Sequence, residues 1–269
     1  WYSNAQGTIS GIEFYQGVDN LGDASGTFQD DYITPDMSVT PPPEVKTPHF
    51  SGPGDYPACV GMYGEKGQRL VFASTESNPM GFWMSATGDL FNFTPHDMMV
   101  ESDAISASLA ITEKPRINHI VVDKYLLMLT DGSEWKVAPV SGNALSYKTV
   151  SANKESSVGC SRTNRPIPVG REVIFVDATG MTVRAIGYSF TAEGYDSQDL
   201  SVLSAELFKD SPVLEFAYRQ HPDSHLECVL ADGSLAPLVY MKEHEMVAWG
   251  RHILGGGFRA RGVASSKAL

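Results

Sequence analysis

The residues with a claim to chemistry are few and scattered. His221 and His225 stand four apart in HPDSH with Asp223 between them. On a helix that spacing would offer one face to a metal ion. Pro222 and the apolar run that follows predict a surface loop instead. His244 and Glu245 open the histidine–glutamate pair of a zinc protease, but Ala248 stands where the second histidine would fall. Cys59, Cys160 and Cys228 are far apart and form no C-x-x-C, so buried free thiols are expected rather than a zinc site or a disulfide framework. Gly255, Gly256 and Gly257 would cradle a phosphate only ahead of a helix, and no helical pattern follows them. Neither G-x-S-x-G nor G-x-x-x-x-G-K-[ST] occurs. Carboxylates are plentiful enough for a glycosidase pair. Asp30 and Asp31, however, sit in a turn-rich segment, and Asp131 and Asp232 read as turn residues. Trp83, Trp135 and Trp249 lie in apolar strand contexts that predict core packing rather than a sugar platform. The sequence therefore assigns no catalytic, cofactor-binding or metal-ligating residue, and it predicts a protein that is not an enzyme.

Composition narrows the class. The 269 residues carry 20 Lys and Arg against 32 Asp and Glu, a net charge of −12. That is the wrong sign for wrapping nucleic acid. With 42 % apolar and 10 % aromatic residues, the chain can fill a core and is not disordered. No stretch approaches the ~20 apolar residues of a membrane-spanning helix. Unpaired cysteines point to synthesis in a reducing compartment.

The elements that would position any site are strands. Residues 1–55 are rich in Gly, Asp, Thr and Pro, and Pro41, Pro42 and Pro43 favour an extended arm. TISGIEFYQGVD supplies one or two strands ahead of them. From residue 56 to 269, short apolar runs alternate with Gly-containing turns. RLVFAST, GFWMS and LFNF read as successive strands, and HIVVDKYLLMLTDGSEWKVAPV as three more. VIFVDATGMTVRAIGY and HLECVLADGSLAPLVYM each read as two strands about a turn. Asp131-Gly132 and Asp232-Gly233 are expected to close tight hairpins in which glycine takes a positive φ. Strong strands begin near Leu70, Tyr125, Val173 and Leu226, a period of about 50 residues. Three or four strands per repeat predict an all-β, propeller-like array of blades, with an irregular β-sandwich as the alternative. One helix is expected, capped by Asp199 over LSVLSAELF, as a connector between the third and fourth repeats. The Trp1 start and the glycine-rich end predict a fragment or processed product of a longer chain.

An ordered set of short motifs adds a resemblance. They are Tyr56-Pro57, Gln68-Arg69-Leu70, Asn78-Pro79, Trp83 with Ser85, and Gly88-Asp89 with Asn92-Phe93. Then come TDGSEWKV, PIPVGREVIFVDATGMTVRAIGY, DLSVLSAELF, ADGSL and VAWGRH. Over about residues 56–253 this series resembles the tail nozzle proteins of short-tailed bacteriophages, also called tail tubular protein B. Such proteins are usually much longer, and the proline-rich segment ahead of Tyr56 matches no part of them.

The resemblance implies a virion protein of the phage tail, made in the bacterial host cytoplasm and built around a β-propeller-like domain. It implies a homo-oligomeric ring, typically a hexamer, below the portal and its adaptor tail protein. Genomic DNA would pass through without specific binding, and no cofactor is implied. An acidic conduit wall fits that role, because it repels phosphate. Residues 1–55 are expected to serve as an arm on a neighbouring chain. The alternative is a receptor- or polysaccharide-binding tail protein, possibly a glycan hydrolase.

Overall fold

A computed structural model describes residues 8–9, 28–29, 55–64, 68–94, 99–110, 115–140, 144–191, 193–221, 224–244 and 246–265. Contacts divide the chain into two units, Trp1–Glu44 and Val45–Leu269. In the first, β1 (Thr8–Ile9) pairs antiparallel with β2 (Phe28–Gln29). The proline-rich stretch and the rest of the expected arm lie outside the described residues.

The second unit contains four four-stranded antiparallel sheets, each a meander in chain order. The first holds β3 (Cys59–Tyr63), β4 (Arg69–Ala73), β5 (Gly81–Met84) and β6 (Ile105–Ser108). The second holds β7 (Ile117–Val122), β8 (Leu126–Thr130), β9 (Glu134–Pro139) and β10 (Val150–Ser156). The third holds β11 (Ile167–Val169), β12 (Glu172–Val176), β13 (Val183–Ser189) and β14 (Gly194–Asp199). The fourth holds β15 (Val213–Arg219), β16 (His225–Leu230), β17 (Leu235–Met241) and β18 (Met246–Trp249). The periodic strands seen in the sequence are β4, β8, β12 and β16, the second strand of each sheet, so one repeat is one sheet.

Continuous apolar runs mark strands buried on both faces. In β8, Leu126 and Met128 enter a core shared with Val71, Phe82 and Met84 of the first sheet. Leu127 and Leu129, pointing the other way, enter a core shared with Val173 and Phe175 of the third. In β12 the alternate pair, Ile174 and Val176, joins Leu226, Cys228 and Leu238 of the fourth sheet. The four sheets thus pack face to face in chain order.

The connections repeat as well. The backbone N–H of Ile117 donates to Pro79 O (3.0 Å), that of Cys160 to Thr130 O (2.8 Å) and that of Val213 to Gly180 O (2.8 Å). Each approach to a new sheet therefore docks on the turn between the second and third strands of the sheet before it. The segment after the fourth sheet does the same, with Ala260 N–H donating to Gly233 O at 3.0 Å. Gly159 shows how close the approach is. Its φ is +83°, and a Cβ there would lie 2.2 Å from Asp131 O.

Three local expectations are corrected. LFNF is not a strand; Asp89 Oδ1 accepts from Phe91 N–H and Asn92 Oδ1 from Thr94 N–H, which turns the chain, and the fourth strand comes later as β6. The expected helix is a 3-10 turn over Val202–Leu207, kinked at Ser204, with Leu203 90 % exposed. Asp199 caps nothing directly: its carboxylate accepts from Ser201 N–H and Oγ–H ahead of the turn. Gly132 does not take a positive φ, whereas Gly233 does, at +81°. In the first hairpin the Thr130 hydroxyl accepts from Gly132 and Ser133 N–H and shapes the turn. The second has Ala231 at that position, and Asp232 Oδ1 accepts from Ser234 N–H instead.

Candidate functional site

The docking of successive connections brings the first strand of every sheet to one cleft of about 1000 Å³. Two tripeptides of the same R-x-N pattern build its wall, Arg116-Ile117-Asn118 and Arg162-Thr163-Asn164. Each lies just before, or at the start of, the first strand of its sheet. Both asparagines are buried. Asn118 Nδ2 donates to Cys160 O at 2.9 Å and to Asp131 Oδ1 at 2.6 Å. Asn164 Nδ2 donates to Val213 O at 3.1 Å and to Ser161 Oγ at 3.2 Å. Each amide therefore ties its own sheet to the next.

The arginines of these tripeptides face the mouth. Arg162 lies 3.6 Å from Asp131 Oδ2, and Arg116 lies 3.4 Å from Glu76 Oε2. Both pairs are partly solvated and contribute little net stability. Arg165 also lines the cleft and has no ion pair among the described residues. His119 stands beside it, its Nε2–H donating to Ser161 O at 2.9 Å. Burial lowers the His119 pKa, and the Arg165 charge lowers it further against that bond, so the ring is neutral at pH 7. Glu215 is the carboxylate of the lining, and its Oε2 accepts from Val263 N–H at 3.2 Å. On the wall, burial pushes the Cys59 thiol up to about 12, so it is no nucleophile near neutrality. The guanidinium groups of Arg116, Arg162 and Arg165 equip the arrangement to hold negative charge.

At the opposite end of the strands, aromatic rings gather around Lys124. Its Nζ lies 3.9 Å from the Tyr188 ring centroid, 4.6 Å from that of Phe190 and 5.2 Å from that of Tyr125. Phe190 is 76 % exposed. Tyr195 OH donates to Asp123 Oδ2 at 3.2 Å and braces the turn. A second cleft, between the third and fourth sheets, contains the buried Glu172, which accepts from Tyr240 OH and pairs with Lys242.

The residues singled out in the sequence disperse. His225 lies in β16 and meets Glu227 at 2.9 Å, while His221 lies beside the second cleft. Asp223, Glu245, Asp30 and Asp31 fall outside the described residues. Among those described, no group of three or more His, Cys, Asp or Glu could hold a metal ion. The three cysteines are free, with Cys160 and Cys228 buried and Cys59 half-buried. Trp83 and Trp135 are buried, and half-buried Trp249 donates from Nε1 to Leu200 O at 2.7 Å. Asp232 is the expected turn residue. Asp131 instead turns its carboxylate to Asn118 and Arg162 at the cleft mouth. Missed altogether was the R-x-N pattern one repeat apart, a signal available to a search for internal repeats. No helix among the described residues is long and apolar enough to cross a membrane.

Four of the residues that carry the phage-tail resemblance, Arg69, Ser85, Glu134 and Trp135, are fasteners. Buried Arg69 donates from Nη1 to Ser85 O (2.6 Å) and Asp103 O (2.7 Å), and from Nη2 to Glu101 O (3.3 Å) and Leu145 O (3.2 Å). Ser85 Oγ accepts from Leu70 N–H at 2.9 Å. Buried Glu134 accepts from Ser156 Oγ–H and Val158 N–H, and Trp135 Nε1–H donates to Ser133 Oγ at 2.8 Å. No family model matches this chain, and no curated protein matches it.

Proposed function

We propose that this chain is a structural, non-enzymatic component of a bacteriophage tail, part of a nozzle or hub through which DNA is ejected. The observation that carries the reading is the role of the motif residues. Arg69, Ser85, Glu134 and Trp135 each use polar side-chain atoms to hold strands and loops together, as a scaffold family's shared residues would. Four equal meanders stacked face to face support a propeller-like array over a two-layer sandwich. In this reading the protein forms a homo-oligomeric ring, expected to be a hexamer, on the portal and its adaptor tail protein. It is made in the host cytoplasm and resides in the virion, and DNA passes without specific contacts.

Electron microscopy tests the reading directly. Rings of the purified protein, alone or on portal–adaptor complexes, are the expected result. A protein that stays monomeric under both conditions refutes it. A second reading, receptor or polysaccharide binding, is favoured by the exposed Phe190 ring beside Lys124. Glycan-array binding that is lost in Phe190→Ala would select it over the first.

A further inference from the structure

We propose that the cleft at the first strands binds a compact ligand bearing at least two phosphate or sulfate groups. This inference is independent of the tail assignment. Its basis is a local gathering of arginines on an otherwise acidic chain. The chain as a whole carries −12, yet among the described residues three arginines line this one cleft, with Glu215 in the lining and Asp131 and Glu76 as solvated partners of Arg162 and Arg116. Glu215 itself is turned to the Val263 amide.

The arginines are also held for the task. Arg116 and Arg162 each stand two residues ahead of a buried asparagine that pins the backbone to the next sheet. Two guanidinium groups are thereby carried on a rigid frame, and guanidinium matches tetrahedral oxyanions with paired donors. The Arg162 side chain is 63 % exposed, and Asp131, its ion partner, is itself held by the Asn118 amide. An incoming oxyanion can therefore share Arg162 without first stripping away a buried partner. Arg165, which has no ion partner among the described residues, supplies the third charge. Three guanidinium groups in a cleft of about 1000 Å³ match a ligand with two or more anionic groups and leave room for it.

The test uses the whole chain and inorganic pyrophosphate as probe, with sulfate and NaCl at matched ionic strength. Calorimetric titration is expected to show one pyrophosphate per chain, and pyrophosphate is expected to raise the melting temperature more than NaCl does. Arg162→Gln with Arg165→Gln should weaken binding at least tenfold, while Arg171→Gln at the second cleft leaves it unchanged. Circular dichroism and melting of the unliganded variants establish that they fold. Arg165→Lys, which keeps the charge but loses the paired donors, should retain part of the affinity. Comparing a nucleoside diphosphate with a disulfated disaccharide then separates the two sources of the shared chemistry. Stabilisation no greater than with NaCl overturns the proposal, as does binding indifferent to the double variant. Binding only to long DNA, with a steep salt dependence and no response to these arginines, overturns it equally.

Discussion

Gly132 and Gly233 occupy the same place in two Asp-Gly-Ser turns, yet alanine should act on them in opposite directions. At Gly233 the φ of +81° alone costs an L-residue about 1–2 kcal/mol. The new Cβ would also lie 2.4 Å from Arg259 Cβ and 2.9 Å from Arg259 Cα. Relief requires the 258–263 segment to lift, with loss of the Ala260 to Gly233 hydrogen bond, worth about 1 kcal/mol. Gly233→Ala should therefore cost roughly 2–3 kcal/mol, or about 4–12 °C in a domain of this size. At Gly132 the φ is not positive and nothing lies within 4 Å of a Cβ. There alanine removes unfolded-state freedom and should stabilise by about 0.4–1 kcal/mol. Differential scanning calorimetry of the two single variants measures both. Equal destabilisation would mean that the two turns share one backbone geometry, and the account of Thr130 and Asp232 as alternative turn organisers would fail.

Arg69→Met keeps much of the side-chain volume but strands four carbonyls, so it should cost about 3 kcal/mol or more, read as a lowered melting midpoint. The thiols should resist alkylation in the native state. With Cys59 pushed up to about 12, its thiolate fraction at pH 8 falls roughly a thousandfold below that of a free thiol, and mass spectrometry should find all three modified only after denaturation. The His119 pKa is lowered on folding, so the unfolded chain binds the extra proton first as pH falls. Its contribution is thus fully present above about pH 6.5 and is lost below it, and His119→Gln should flatten the decline in stability between pH 7 and 5.

The repeat was legible because the second strand of each sheet carries an apolar run, continuous where it is buried on both sides, as in LLML and VIFV. The first strands were harder to read. Ile167–Val169 spans only three residues, and β3 alternates half-buried with exposed positions, so neither offers a strong run. LFNF misled because its aromatics suggest a strand while Asp89 and Asn92 bind their own backbone and bend it. The cleft was invisible for a different reason. Asp131 has an adequate local explanation as a turn residue, and only the three-dimensional arrangement shows Thr130 shaping the turn and freeing that carboxylate. His119 and Arg165 are likewise unremarkable until two sheets bring them together.

The double duty of β8 and β12 makes each inner sheet a party wall. Removing side chains from one of its faces loosens one room directly, but shifting the strand by a single residue would exchange the occupants of both. Inner sheets are therefore locked in register from two sides at once, while the first sheet still exposes Val60 and Met62. Energetically the molecule behaves as a short chain of coupled units, each reinforced by its neighbours. Disorder introduced by heat or denaturant should enter from the outer sheets and advance inward a whole sheet at a time. Slow amide exchange should accordingly concentrate in Leu126–Thr130 and Glu172–Val176, the two strands that no opening of a single interface can release.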